Sequence, residues 1–164
     1  MIKMINNFKV DIFFRILCSI SFMTLIFVFS SQNGFQSHQL SRAVLKLVNS
    51  WNLPIFNPAG NGFSDLGRLD WIIRKIAHFN LYFILGLLFY WIFSGLTIKL
   101  YKARLMTILF CSFYSITDEI HQLFVTGRTF HITDVFIDMM GSATAIMLVF
   151  SLIRAGRGRT RYKG

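Results

Sequence analysis

The run Leu81-Tyr82-Phe83-Ile84-Leu85-Gly86-Leu87-Leu88-Phe89 shows no polar alternation and decides the fold class. A β-barrel strand would alternate over about ten residues, whereas an unbroken apolar run crosses lipid as a helix. Widened in both directions it becomes residues 72–93, enough to span about 30 Å of hydrocarbon at about 1.5 Å per residue. Residues 12–30, 105–125 and 132–153 read the same way. The expectation is an all-α membrane protein of four transmembrane helices, a single domain over residues 1–164, with a loop over residues 31–71 outside the membrane. Only helices satisfy their backbone within such segments.

Composition agrees. The chain has 164 residues, 54% of them hydrophobic, with 19 Phe and a mean hydropathy of +0.55. A soluble domain of this size could hardly bury that much aromatic bulk, but lipid accepts it on outward helix faces. The charged start (Lys3, Lys9, Arg15) is followed by an apolar stretch too long for a signal peptide, with no small-residue cleavage site, so the first span reads as uncleaved. Eleven basic residues fall on one side of the four-span arrangement: Lys3, Lys9, Arg15, Lys99, Lys102, Arg104 and the five within residues 154–163. Six fall on the other: Arg42, Lys46, Arg68, Arg74, Lys75 and Arg128. The richer side should be cytoplasmic, which puts both termini there. The net charge of +10 then faces the leaflet surface at the end of the last span, so nucleic acid is not an expected partner and membrane lipid is. Cys18 and Cys111 lie inside apolar spans and read as small buried hydrophobes.

Outside the membrane, Leu40, Val44, Leu47, Val48 and Trp51 recur at helical spacing, an amphipathic helix suited to the interface with Trp51 at headgroup depth. Residues 52–64 hold Pro54, Pro58, Gly60 and Gly62 and read as a loop. Ser64 is placed to cap a juxtamembrane extension of the second span.

Charged groups inside spans cost roughly 2.5–3.5 kcal/mol each at mid-depth, and here they cluster. Lys75, His78, Tyr82 and Gly86 align on one face of the second span, and Asp134, Asp138, Gly141 and Ala145 on one face of the fourth. On the third, Asp118, His121 and Gln122 share a face, with Glu119 about 100° around from Asp118. Each stripe begins at the outer end of its helix, so with Arg128 these groups can meet in one cavity open to the outer leaflet. The candidate ligand-binding set is therefore Lys75, His78, Tyr82, Asp118, Glu119, His121, Gln122, Arg128, Asp134 and Asp138.

The blocks Phe29-Ser30-Ser31-Gln32, Arg74-Lys75-Ile76-Ala77-His78-Phe79 with Tyr82 and Gly86, and Asp118-Glu119-Ile120-His121-Gln122 with Gly127-Arg128, Asp134 and Gly141, resemble the VanZ-like family across almost the whole chain. Asp138 departs from it, since the family usually has Asn there. The resemblance implies a bacterial cytoplasmic-membrane protein whose namesake lowers susceptibility to lipid-tailed glycopeptides such as teicoplanin; it implies no assigned reaction.

Three functions compete. One is binding of an anionic amphiphile at the outer leaflet, a lipid headgroup or a lipoglycopeptide antibiotic, with Lys75 and Arg128 holding the anion. Another is an enzyme acting on a lipid-linked phosphate or envelope precursor, with His78 or His121 as base or nucleophile and Asp118 or Glu119 orienting it. A third makes the polar groups interhelical fastening only. A metal variant of the enzyme draws on His78, Glu119, His121 and Asp134, but Glu119 and His121 lie about 200° apart on a helix and H-E-x-x-H spacing is absent. No metal or cofactor is assigned from the sequence.

Overall fold

The computed structural model describes residues 2–50, 63–96 and 99–161, and among these there are five helices and no strand. Helix α1 is Ile2–Ser30, α2 Gly34–Asn49, α3 Phe63–Leu96, α4 Leu100–Gln122 and α5 Ile132–Arg161. Stretches long and apolar enough to cross a membrane are Lys9–Ser30, Gly67–Leu96 and Ile132–Ala155. Helix α4 has 23 residues but is less apolar, because Lys102 and Arg104 lie in its first turns and Asp118, Glu119 and Gln122 in its last.

The four long helices alternate in direction. Arg15 of α1 donates to the Trp91 carbonyl of α3 at 2.6 Å, whereas the other end of α1 lies beside α4, with Phe27 4.5 Å from the His121 ring. Phe93, near the end of α3, packs on Phe110 in the middle of α4 at 5.1 Å, and Tyr82 and Tyr114 meet further towards the other end. Helices α3 and α5 run in parallel. Between these layers lies an aromatic core of Tyr82, Leu85, Phe89, Tyr90 and Phe93, with Ile26 and Cys111. Outward faces are apolar, Phe113 at 70% and Met147 at 68% exposed, which is the pattern lipid rather than water selects.

Several boundaries differ from expectation. Helix α1 begins ten residues before position 12, α4 begins five residues before position 105 and ends three before position 125, and α5 continues through the basic segment to Arg161. Ser64 is the second residue of α3, and the cap expected there lies outside the described residues. The loop expected over 52–64 and the Trp51 anchor fall mostly outside the described residues. Helix α2 starts at a capping box, the Asn33 side chain accepting from Gln36 N and the Gln36 side chain from Asn33 N. It presents Ser37 and Ser41 inward while Leu40, Val44 and Leu47 stay exposed, and His38 pairs with buried Asp70 to hold it on α3.

Candidate functional site

The site follows from how closely α3 and α5 approach. A Cβ on Gly141 would collide with the Phe79 carbonyl oxygen and stand 3.1 Å from Phe83 N; one on Gly86 would stand 2.9 Å from Ser142 Cα. Small residues at facing positions let two membrane helices come together, and the polar residues one and two turns away are brought into register. Lys75 Nζ pairs with Asp134 Oδ1 and His78 Nδ1 lies 3.1 Å from Asp138 Oδ1. Asp138 Oδ2 accepts from Ser115 Oγ of α4 at 2.6 Å. Asp134 and Asp138 are both buried.

On α4 the inward residues are Ala103, Thr107, Cys111, Ser115, Asp118, Glu119 and Gln122. Gln122 Nε2 donates to Glu119 Oε1 at 3.2 Å and to Asp118 Oδ2 at 3.4 Å, and Glu119 Oε2 accepts from His131 N at 2.9 Å. The chain then turns through Gly127, whose φ of +75° is the left-handed conformation that suits glycine, and whose carbonyl lies against Gly34 at the start of α2. That turn aims Arg128 back at the bundle. Its Nε donates to Gln32 O at 3.1 Å, Nη1 to Gln122 Oε1 at 3.1 Å and Nη2 to Phe29 O at 3.4 Å. Burial pulls the guanidinium below its ordinary pKa, and the neighbouring Arg74 adds to this, while Asp118, Glu119 and Asp134 oppose it. Arginine starts so high that it stays charged.

Beside these groups is a cavity of about 300 Å³ among α1, α2, α3 and α4. Ile26, Phe29, Leu40, Val44, Ile73 and Leu81 contribute apolar wall; Arg74, His78, Asp118, Gln122 and Arg128 contribute the polar part. Ser30, Tyr82 and Asp118, all buried, also line it, with Ser30 beside Asp118 and Tyr82 beside Ser115.

Of the candidates from sequence, His78, Tyr82, Asp118, Gln122 and Arg128 line this cavity. Lys75, Glu119, Asp134 and Asp138 form an adjoining buried layer, linked to the cavity through His78 and Gln122. His121 is placed differently from expectation. It does not share the inward face of Asp118 and Gln122 but lies on the flank towards α1, its ring against Phe27 and Nε2 3.1 Å from Ser31 Oγ. Glu119 takes the inward place because it is four residues beyond Ser115 on the buried stripe. The orienting carboxylate of His78 is Asp138, not Asp118 or Glu119. Sequence reasoning passed over Arg74 and Ser115. The Arg74-Lys75 doublet was the signal for the first, since adjacent helical residues point about 100° apart and only one joined the stripe. Ligating atoms of His78, Glu119 and Asp134, without His121, lie within 4.8 Å of one another.

Lys75 is committed to Asp134 and lies over the Trp71 ring at 5.3 Å, so its loss should act first on folding. Breaking a buried pair leaves an uncompensated charge, typically 3–5 kcal/mol, while removing both partners is far milder. Lys75→Met should cut the monodisperse yield severalfold and Lys75→Met with Asp134→Asn should recover most of it. A double variant no better than the single one would mean the pair is not what Lys75 supports.

A family model described as VanZ/LLP1 matches residues 14–154. An uncharacterized protein of Schizosaccharomyces pombe is 36% identical over 75 residues, which is 45% of this chain and 44% of that relative. The matched stretch thus spans less than half of the relative's length. No solved structure matches the chain.

Proposed function

Because the chain belongs to the VanZ/LLP1 family, we propose that it is a four-span membrane protein that binds an anionic amphiphile in the cavity between α2 and the bundle. In this reading α4 is the fourth span, its charged ends at the two interfaces and its Asp118, Glu119 and Gln122 turned to protein rather than lipid. Helix α2 lies at the outer surface as one wall of the cavity. The observation that carries the proposal is the make-up of that cavity: an apolar wall able to take an acyl chain, ending at Arg74 and Arg128. A guanidinium has five N–H donors and Arg128 spends three within the chain, which leaves donors for phosphate or carboxylate. A lipid headgroup and a lipid-tailed glycopeptide share this chemistry. The ligand classes that fit are thus membrane lipids, lipid-linked envelope precursors and lipoglycopeptide antibiotics, and the setting is the bacterial cytoplasmic membrane.

Filling the cavity tests this directly. Ala77 lines it and is exposed, so bulk there need not disturb packing. Ala77→Trp should lower phosphatidylglycerol retained by the purified protein about fivefold in native mass spectrometry, with unchanged folded yield. Retention equal to wild type would remove the cavity as the binding place.

Orientation has its own test. With eleven basic residues on one side and six on the other, both termini belong in the cytoplasm. In a Cys18→Ala, Cys111→Ala background, Arg42→Cys should react with an impermeant maleimide in intact cells and Lys102→Cys should not. The opposite pattern would put the cavity on the cytoplasmic side.

One observation favours a catalytic variant. His78 borders the cavity while Nδ1 is held by Asp138, itself held by Ser115, an arrangement that leaves Nε2 to act as a base towards a bound lipid phosphate or ester. His78→Gln would then end turnover but leave lipid retention intact.

A further inference from the structure

Apart from Asp70, which pairs with His38, four carboxylates are buried at this end of the bundle: Asp118, Glu119, Asp134 and Asp138, none more than 5% exposed. The cations nearest them are Lys75, paired with Asp134, and Arg128, whose charge acts on Asp118, Glu119 and Asp134, with Arg74 next to Arg128. His78 sits among them against Asp138. Carboxylates buried next to hydrocarbon are relieved either by taking up protons or by further positive charge.

The geometry points to a divalent cation as that charge: we propose that His78, Glu119 and Asp134 hold one metal ion at the meeting of α3, α4 and α5. One ring nitrogen and two carboxylate oxygens from these three residues already lie within 4.8 Å of one another. Small side-chain rotations bring such atoms to bonds of about 2.1 Å. Each ligand is also held from behind by a different group. His78 Nδ1 is engaged by Asp138, which leaves Nε2 with a lone pair for the ion. Glu119 is fixed by Gln122 and by His131 N. Asp134 is held through Oδ1 by Lys75. Partners that fix the tautomer and orientation of ligands in this way are a regular part of metal centres, and removing one weakens metal affinity 10–100-fold.

A second observation concerns the open side of such an ion. Three protein ligands leave at least one coordination position for water or substrate. His78 borders the cavity that Asp118 and Tyr82 also line, so a molecule bound there finds hydrogen-bonding side chains at hand. One imidazole with two carboxylates suits zinc, manganese or ferrous iron better than calcium or magnesium, which prefer all-oxygen surroundings. The inference does not need the amphiphile reading, since the three ligands lie in the buried layer whatever fills the cavity.

Metal content of the full chain in detergent tests it. After stripping with EDTA and reloading with Zn²⁺ or Mn²⁺, wild type should retain one equivalent through gel filtration. Glu119→Gln and Asp134→Asn should bind at least tenfold more weakly and Asp138→Asn 10–100-fold more weakly, the last through His78. Arg42→Gln, exposed on α2, should bind as wild type. Folded wild type that retains neither ion overturns the proposal without need of any variant, and so does undiminished binding by folded Glu119→Gln and Asp134→Asn. Should those variants not fold, nitrogen hyperfine coupling in the Mn²⁺ resonance of wild type reports the His78 ligand, and its absence overturns the assignment.

Discussion

Gly141→Leu should remove nearly all folded protein from a detergent extract, at least a tenfold loss of the monodisperse peak. The reason is what stands opposite. A Cβ there meets backbone, the Phe79 carbonyl and the Phe83 amide, not a side chain that can swing aside. Overpacking in a core usually costs about 1–3 kcal/mol because rotamers adjust. Here the only adjustment is to separate α3 from α5, and that also parts Lys75 from Asp134 and His78 from Asp138, leaving buried charges unpaired. Leu148→Phe is the control, because Leu148 is 45% exposed on an outward face where lipid absorbs the added volume. Fluorescence-detected gel filtration of both variants decides it; similar yields would show that close approach at Gly141 does not hold the two helices.

That Gly141 could be picked out from sequence shows which part of the fold was legible. On α3 and α5 the polar and small residues repeat at i, i+3 or i+4 over three turns, and the two stripes pair as their spacing requires: Lys75 with Asp134, His78 with Asp138, Gly86 against Ser142 and Ala145. On α4 the same logic misplaced His121, because polar residues at 118, 119, 121 and 122 cover most of a turn and do not define a face by themselves. The smaller residues Thr107, Cys111 and Ser115 define it, and they point to Glu119. Helix α2 teaches a related lesson. Its apolar residues Leu40, Val44 and Leu47 were the visible pattern, but Ser37 and Ser41 face the protein. At a membrane the apolar face has lipid as a partner, so small polar residues are free to make the protein contact. The cavity itself was not legible, since it depends on where α2 rests on α3, and that is fixed by the His38–Asp70 pair and the Gly34–Gly127 approach across separate parts of the chain.

Arg128→Lys should reduce phosphatidylglycerol retention at least tenfold while costing less folded protein than Arg128→Ala. In the folded chain the guanidinium ties the α4–α5 turn to Gln32 and Phe29 at the end of α1 and to Gln122, three bonds in diverging directions from one planar group. Net, each such bond is worth about 0.5–1.5 kcal/mol, somewhat more for a charged donor. Alanine loses all three and also leaves Asp118 and Glu119 without the positive charge beside them, so both folding and binding should fall. Lysine keeps the charge, and with it much of the compensation of those carboxylates, but its ammonium cannot bond the turn and still present paired donors to an anion. The separation of the two effects is what matters. If Arg128 only fastens helices, retention per folded molecule in Arg128→Lys will equal wild type and only the yield will change. If it grips the anion, retention per folded molecule falls although the yield survives, and cells expressing the variant should lose any protection against a lipid-tailed glycopeptide that the wild-type chain confers.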